Sequence, residues 1–336
     1  MGARVRRALA VAIVVLACAV PARAQQASHL LVIVGLGGDL ENADRFHRWA
    51  VTLVDAARGR YGLPPESVIY LGEDPSRDPA RIGGRSTREG VAAAVETLAA
   101  RARPGDRVFI VLVGHGATAS GVARFNLPGP DLTAAEFAKL LARLNAQSVV
   151  FVNTASASGG FVAALSGKGR TIITATKTDG ERNQTRFGEF FVSALATPDS
   201  DADTDKDGRV SVLEAFLWAR ARVVDSYNRD GQLLTEHAVL DDNGDGTGTD
   251  APGQPGGDGA LARTLFLSAA SGARLTADQG DPELRALVAQ RDGLETRIAA
   301  LKAAKDKTDP EKYERDLEQM LIDLARVNRR IREKQK

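Results

Sequence analysis

The stretch that decides the reading of this chain begins Val108-Phe109-Ile110-Val111-Leu112-Val113-Gly114-His115-Gly116. A polar loop and a helix follow. The chain then reads Ser148-Val149-Val150-Phe151-Val152-Asn153-Thr154-Ala155-Ser156-Ala157-Ser158-Gly159-Gly160. Each half is a short β-branched apolar run that ends in small and polar residues. Continuous apolar runs bounded by turn signals are the pattern of strands buried on both faces of a parallel sheet. In such sheets chemistry collects outside the carboxyl ends of the strands. His115 and Ser156 are therefore expected at one edge of one sheet, each on the loop that leaves its strand.

The same alternation continues on either side. His29 to Gly35 is predicted as a first strand and Val68 to Leu71 as a second. Between them Phe46, Trp49, Ala50, Leu53 and Ala57 share one helical face. Ser86-Thr87-Arg88-Glu89 has the form of a capping box, followed by Val91, Val95 and Leu98 at helical spacing. Thr133 to Leu144 reads as a helix, Thr171 to Thr176 as a fifth strand, and Leu261 to Leu267 as a returning edge strand. Strands alternating with helices of this length imply an α/β domain with a mainly parallel sheet and helices on both faces. No Gly-x-Gly-x-x-Gly follows the first strand and no Gly-x-x-x-x-Gly-Lys occurs, which argues against dinucleotide and P-loop roles.

The 44 basic and 43 acidic residues nearly cancel, so the chain lacks the basic footprint of a nucleic-acid binder. Residues 1–24 have the pattern of a secretory signal peptide: Arg4, Arg6 and Arg7, an apolar run from Ala8 to Val20, and Ala22-Arg23-Ala24 before Gln25. An exported protein, periplasmic or secreted, is expected, with no transmembrane span once the signal is removed. Lipoprotein anchoring at Cys18, the one cysteine, is the lesser alternative. A mature chain starting at Gln25 has no thiol and so neither a disulfide nor a cysteine nucleophile.

The strand ending His115-Gly116, a helix, and then a strand ending Thr154-Ala155-Ser156-Ala157-Ser158-Gly159 resembles the legumain (asparaginyl endopeptidase) family of cysteine peptidases in the caspase-like clan. In that family one strand ends in His-Gly and the next in Ala-Cys-x-Ser-Gly. The order of elements from His29 to Thr176 matches too. The resemblance implies a caspase-like three-layer fold over residues 28–272. It also implies roles: His115 as acid/base, Ser156 in the nucleophile's place, and the Gly116 N–H facing the oxyanion. Arg45 and Glu181 are candidates for the charged groups that read the residue before the cleaved bond. Serine where the family has cysteine is the departure. A thiol supplies thiolate near neutral pH, whereas a serine hydroxyl needs a base in direct contact. The expectation is a catalytically impaired peptidase fold acting as a peptide-binding or assembly module. The alternative is an active endopeptidase using Ser156 and His115.

Residues 203–214 fit the EF-hand calcium loop. Asp203, Asp205 and Asp207 stand at positions one, three and five, and Gly208 at six. Arg209 offers its backbone carbonyl at seven, Ser211 stands at nine, and Glu214 at twelve can close the sphere with both oxygens. The expected exiting helix carries Leu213, Phe216, Leu217, Ala221 and Val224. Asp241, Asn243 and Asp245 repeat the first half of such a loop, but its twelfth position is Pro252. This makes them a candidate for an irregular second site. Calcium is thus the expected cofactor, in a structural role.

Residues 281–336 change character. Leu287, Leu294, Ile298 and Leu301 follow a three-four rhythm interrupted by Arg291, and Tyr313, Leu317, Met320, Leu324, Val327 and Ile331 repeat it after Asp309-Pro310. Two such seams joined by a short link predict an antiparallel α-helical coiled-coil hairpin. It is expected to serve as a prop or as a handle for a second copy or a protein partner.

Overall fold

In the computed structural model the apolar runs pair as parallel neighbours. The described residues are 27–197, 201–254, 257–268, 282–303 and 309–334. The signal-peptide reading, Cys18 and the 272–281 boundary lie outside them. In chain order the elements begin β1 (Ser28–Val34), α1 (Leu40–Gly59), β2 (Val68–Gly72), β3 (Gly84–Arg85), α2 (Arg88–Arg101) and β4 (Arg107–Val113). They continue β5 (Gly116–Ala119), β6 (Val122–Phe125), β7 (Leu132–Thr133), α3 (Ala134–Leu141), β8 (Ser148–Asn153), α4 (Phe161–Leu165) and β9 (Arg170–Thr174). The last are α5 (Phe187–Ala196), α6 (Val212–Arg229), β10 (Val239–Asp241), α7 (Pro282–Ala303) and α8 (Pro310–Lys334).

The main sheet has the order β10-β9-β8-β4-β1-β2-β3 and is parallel except for β10, which runs antiparallel to β9 at the edge. Successive side chains of a strand face opposite sides, and each side has its own core. Leu30, Val32, Phe109, Val111, Val150 and Val152 pack with α1, α5 and α6. Leu31, Ile33, Val108, Ile110, Val149 and Phe151 pack with α2, α3 and α4. The result is a mixed α/β fold of three layers, consistent with a caspase-like arrangement.

Several local details differ from the sequence reading. The α2 cap is Thr87, whose hydroxyl accepts from the Gly90 N–H; the Ser86 hydroxyl instead donates 2.6 Å to the Val34 carbonyl. Part of the polar loop after Gly116 is a separate three-stranded sheet, β5-β6-β7. Leu261 to Leu267 is not a strand: a single helical turn at Ala262–Thr264 precedes one isolated bridge between Phe266 and Ser211. On α6 the buried face is Leu213, Phe216, Ala219, Val223 and Tyr227, and Leu217 faces solvent.

Helices α7 and α8 form an antiparallel hairpin. Glu283 at the start of α7 pairs with Arg330 at 2.9 Å and Lys334 at 2.7 Å, near the end of α8. Leu284, Leu287 and Leu294 meet Val327 and Ile331 in its seam. Arg291 occupies the same buried row. No described helix is long and apolar enough to cross a membrane.

Candidate functional site

Strands β4 and β8 are adjacent and parallel, with Leu112 opposite Asn153. Their carboxyl ends therefore release His115 and Ser156 side by side. The Thr154 N–H and hydroxyl both donate to the Leu112 carbonyl, at 3.1 and 2.8 Å, which ties the two loops together. The Thr176 hydroxyl after β9 accepts from the Ser158 and Gly159 N–H groups at 2.8 and 3.1 Å. Three consecutive strand ends are thus knitted into one rim.

His115 is partly buried. Its Nε2 lies 3.1 Å from the Gly37 carbonyl and its ring stands edge-on to Phe46 at 5.1 Å between centroids. A carbonyl can only accept, so this contact places the proton on Nε2 and leaves Nδ1 as the basic atom of the neutral ring. Gly37 is held in turn, its N–H donating 3.1 Å to the Glu73 carboxylate. A Cβ on Gly37 would lie 2.7 Å from Ala43, so the close packing of this turn on α1 requires glycine. Neither Gly37 nor Glu73 was a sequence-level candidate; the only signal was the Leu36-Gly37-Gly38 turn after the first strand.

Ser156 is 5% exposed. Its Oγ accepts from the Gly116 N–H at 3.4 Å and donates to the Gly116 carbonyl at 3.1 Å. The structure therefore brings Ser156 and Gly116 together, and His115 next to them in the chain. No hydrogen bond joins Ser156 to His115 among the described residues. The next residue, Ala157, adopts φ 51°, and its N–H donates 2.7 Å to the Glu181 carbonyl. A non-glycine residue in the left-handed region costs of order 1–3 kcal/mol and is characteristic of functional turns. Ser156 does not cap α4, whose N-cap is Gly160.

A cleft of about 610 Å³ is lined by Arg45, Trp49, Gln184, Arg186, Glu189 and Tyr227, among others. Trp49 touches Phe46 at 5.7 Å between centroids, so this cleft lies one aromatic ring from His115. Arg45 hydrogen-bonds Asn42. Glu181 does not line the cleft; its carboxylate accepts from the His237 N–H and approaches His237 Nδ1 at 3.2 Å. Of the two charged candidates, Arg45 lines this cleft and Glu181 does not. His29 and His47 also have partners, Asp106 at 3.3 Å and the Tyr70 hydroxyl at 2.8 Å. Burial and the Arg77 and Arg81 guanidiniums hold His47 below the usual histidine range, against the opposing pull of Asp78 and Asp44.

In the 203–214 loop, oxygens of Asp203, Asp205 and Glu214 lie within 4.8 Å of one another. Oxygens about 2.4 Å from one calcium ion fall within such a span. Ser211 caps α6 in a reciprocal box with Glu214, whose other oxygen accepts from the Thr204 and Asp205 N–H groups at 2.9 and 3.3 Å. Lys206 and Gly208, positions four and six, have φ 59° and 84°. Burial, then the charges of Asp207, Glu214 and Asp203, push the Asp205 carboxyl up to about 6. Arg209 turns its guanidinium onto Asp207 at 3.0 Å. Asp241, Asn243 and Asp245 also lie on one tight loop, at the end of β10.

The Peptidase C13 family model matches residues 88–235. No curated protein matches the chain. The matched span runs from the start of α2 through α6 and contains His115, Gly116, Ser156 and the 203–214 loop. Over residues 88–235 the chain is thus similar to the Peptidase C13 family, the legumain family.

Proposed function

We propose that this protein is an exported, calcium-stabilised member of the legumain family whose cleft binds peptide segments without efficient cleavage. The observation that carries the reading is the Ser156 hydroxyl, which gives its proton to the Gly116 carbonyl rather than to the imidazole of His115. A serine needs a base in hydrogen-bond contact to become a nucleophile, whereas a thiol in the same place ionises on its own. The Gly116 N–H beside Oγ is in keeping with a retained oxyanion donor. The cleft next to Phe46 leaves room for a side chain of the bound segment.

Calcium is assigned to Asp203, Asp205, Asp207, the Arg209 carbonyl, Ser211 and Glu214. The convergence of three carboxylates and the raised Asp205 carboxyl support a cation there. The ion's task is to hold the start of α6 against α5. The helical hairpin serves as a contact for a second copy or a protein partner.

The test is an assay of the mature chain with peptides bearing Asn or Asp before the scissile bond. Negligible cleavage is expected, and Ser156→Cys is expected to gain activity. Cleavage by the wild-type chain that Ser156→Ala abolishes would instead establish an active serine endopeptidase.

A further inference from the structure

The second acidic loop lacks its closing glutamate in sequence, yet the structure supplies a carboxylate from elsewhere. In the first loop one Glu214 oxygen accepts from the N–H groups of positions two and three, Thr204 and Asp205. In the second loop the equivalent donors are Asp242 and Asn243. Both give their N–H groups to Asp258 Oδ1, at 2.9 and 3.1 Å. Asp258 thus occupies the place of Glu214, although it follows Asp241 by far more residues than the loop pattern allows. Its position is fixed on both sides. Its carbonyl accepts from the Gly253 N–H at 2.6 Å, and the next N–H, that of Gly259, donates 2.7 Å to the Asp242 carboxylate.

The rest of the loop has the same build. Positions four and six, Gly244 and Gly246, have φ 84° and 79°, matching the left-handed pair of the first loop. The Asp245 N–H caps Asn243 at 2.8 Å and the Thr247 N–H caps Asp245 at 2.7 Å. Position nine, Thr249, pairs back on Leu240 and closes the loop over the strand end.

A separate observation points to a ligand. Asp241 is only 1% exposed, and its Oδ2 has no hydrogen-bond partner among the described residues. The carboxylate is directed into the loop. Its Oδ1 accepts from the Gly244 N–H at 3.2 Å. Asp241 also shares its side of β10 with Val239, whose side chain lies directly under Gly248. A buried carboxylate oxygen with nothing to bind costs several kcal/mol unless a proton or cation meets it. Among the described residues no Lys, Arg or His pairs with Asp241, Asp242, Asp245 or Asp258.

We propose that Asp241, Asn243, Asp245, the Thr247 carbonyl and Asp258 bind a second calcium ion, with Asp258 closing the coordination sphere in place of the missing twelfth-position glutamate. The donors are all oxygens, as a hard divalent cation requires. The set is looser than the first, since its carboxylates do not converge within the 4.8 Å reached by Asp203, Asp205 and Glu214. The second ion therefore binds more weakly. This assignment does not depend on the first loop.

Calorimetric titration of calcium into the chelator-treated full chain tests it. The wild type is expected to take up a tighter and a weaker ion. Glu214→Gln should keep the weaker one, Asp258→Asn should keep the tighter one, and the double variant should bind neither. Asp245 is exposed and its cap on Thr247 survives as asparagine, so Asp245→Asn repeats the test should Asp258→Asn lose its fold by circular dichroism. An unaltered weaker step in Asp245→Asn and in folded Asp258→Asn would overturn the proposal, as would a wild type that binds one ion and a folded Glu214→Gln that binds none. Retention of every binding step in Glu214→Gln would instead count against the first-loop site.

Discussion

At the residue scale the site turns on which atom takes the Ser156 proton. His115 is oriented by the Gly37 carbonyl, with Glu73 behind that turn, and Ser156 is oriented by both backbone polar groups of Gly116. Gly116 has no room for a side chain, because a Cβ would lie 2.3 Å from the Ser156 carbonyl oxygen. Gly116→Ala must therefore shift backbone against backbone. A cost of about 1–3 kcal/mol is expected, read as a lower urea midpoint at unchanged slope. Asp205 gives a pH prediction. Its ordinary value is about 3.9 and its folded value is about 6. Between these the folded state holds a proton that the unfolded state lacks, so metal-free stability falls as pH rises through the window. Calcium needs the ionised carboxylate. The calcium-induced rise in melting temperature should therefore shrink below pH about 6, and Asp205→Asn should lessen the metal-free pH slope, to which the buried Glu236 and Asp258 carboxyls, also raised, add with the same sign.

At the element scale the helices begin where local hydrogen bonds favour them. Helix α3 has a full capping box, with Thr133 Oγ1 accepting from the Glu136 N–H and Glu136 accepting from the Thr133 N–H at 2.9 Å. The Thr133 N–H is the largest influence holding Glu136 below the usual carboxylate range, against burial, with help from the Thr133 hydroxyl and Arg88. Thr133→Ala should lower stability by about 1 kcal/mol, measured by thermal melting. The part of stability that comes from Glu136 is present above the ordinary glutamate value and is lost as pH falls through its lower folded value. Cap identity was only half legible. Ser86 and Thr87 are both good caps with acidic residues following, and the choice went to Thr87 because the Val34 carbonyl at the end of β1 claims the Ser86 hydroxyl. The buried face of α6 was similarly ambiguous, since the apolar positions allow more than one stripe. Packing against α5 selected the one through Phe216 and Val223.

At the scale of the molecule, two acidic loops tie together segments in the late part of the domain. The first joins the segment after α5 to α6, and the second joins β10 to the segment that leads to Ala262. Calcium should raise the melting temperature of the intact protein, and Asp203→Ala should remove the larger part of the rise. An unchanged melting curve on adding calcium to chelator-treated protein would refute the bracing role. The hairpin has a seam of its own, separate from the two cores of the sheet. Deleting residues after Gly272 should leave the α/β domain folded and reduce the assembled mass, as read by light scattering.

The sequence by itself determined the alternation of strands and helices, because a buried parallel strand can only be written as an unbroken apolar run. It also determined the adjacency of His115 and Ser156 at one sheet edge, since both stand just past such runs, and the spacing of the 203–214 loop, where all donors are local. Tertiary structure alone decided what lies across space. The Gly37 carbonyl reaches His115 from another strand end, the Ser156 hydroxyl turns to Gly116, and Asp258 comes to the second loop from beyond Pro252. Local patterns record which groups a segment offers; which group a distant segment accepts depends on the packing that brings their backbones together.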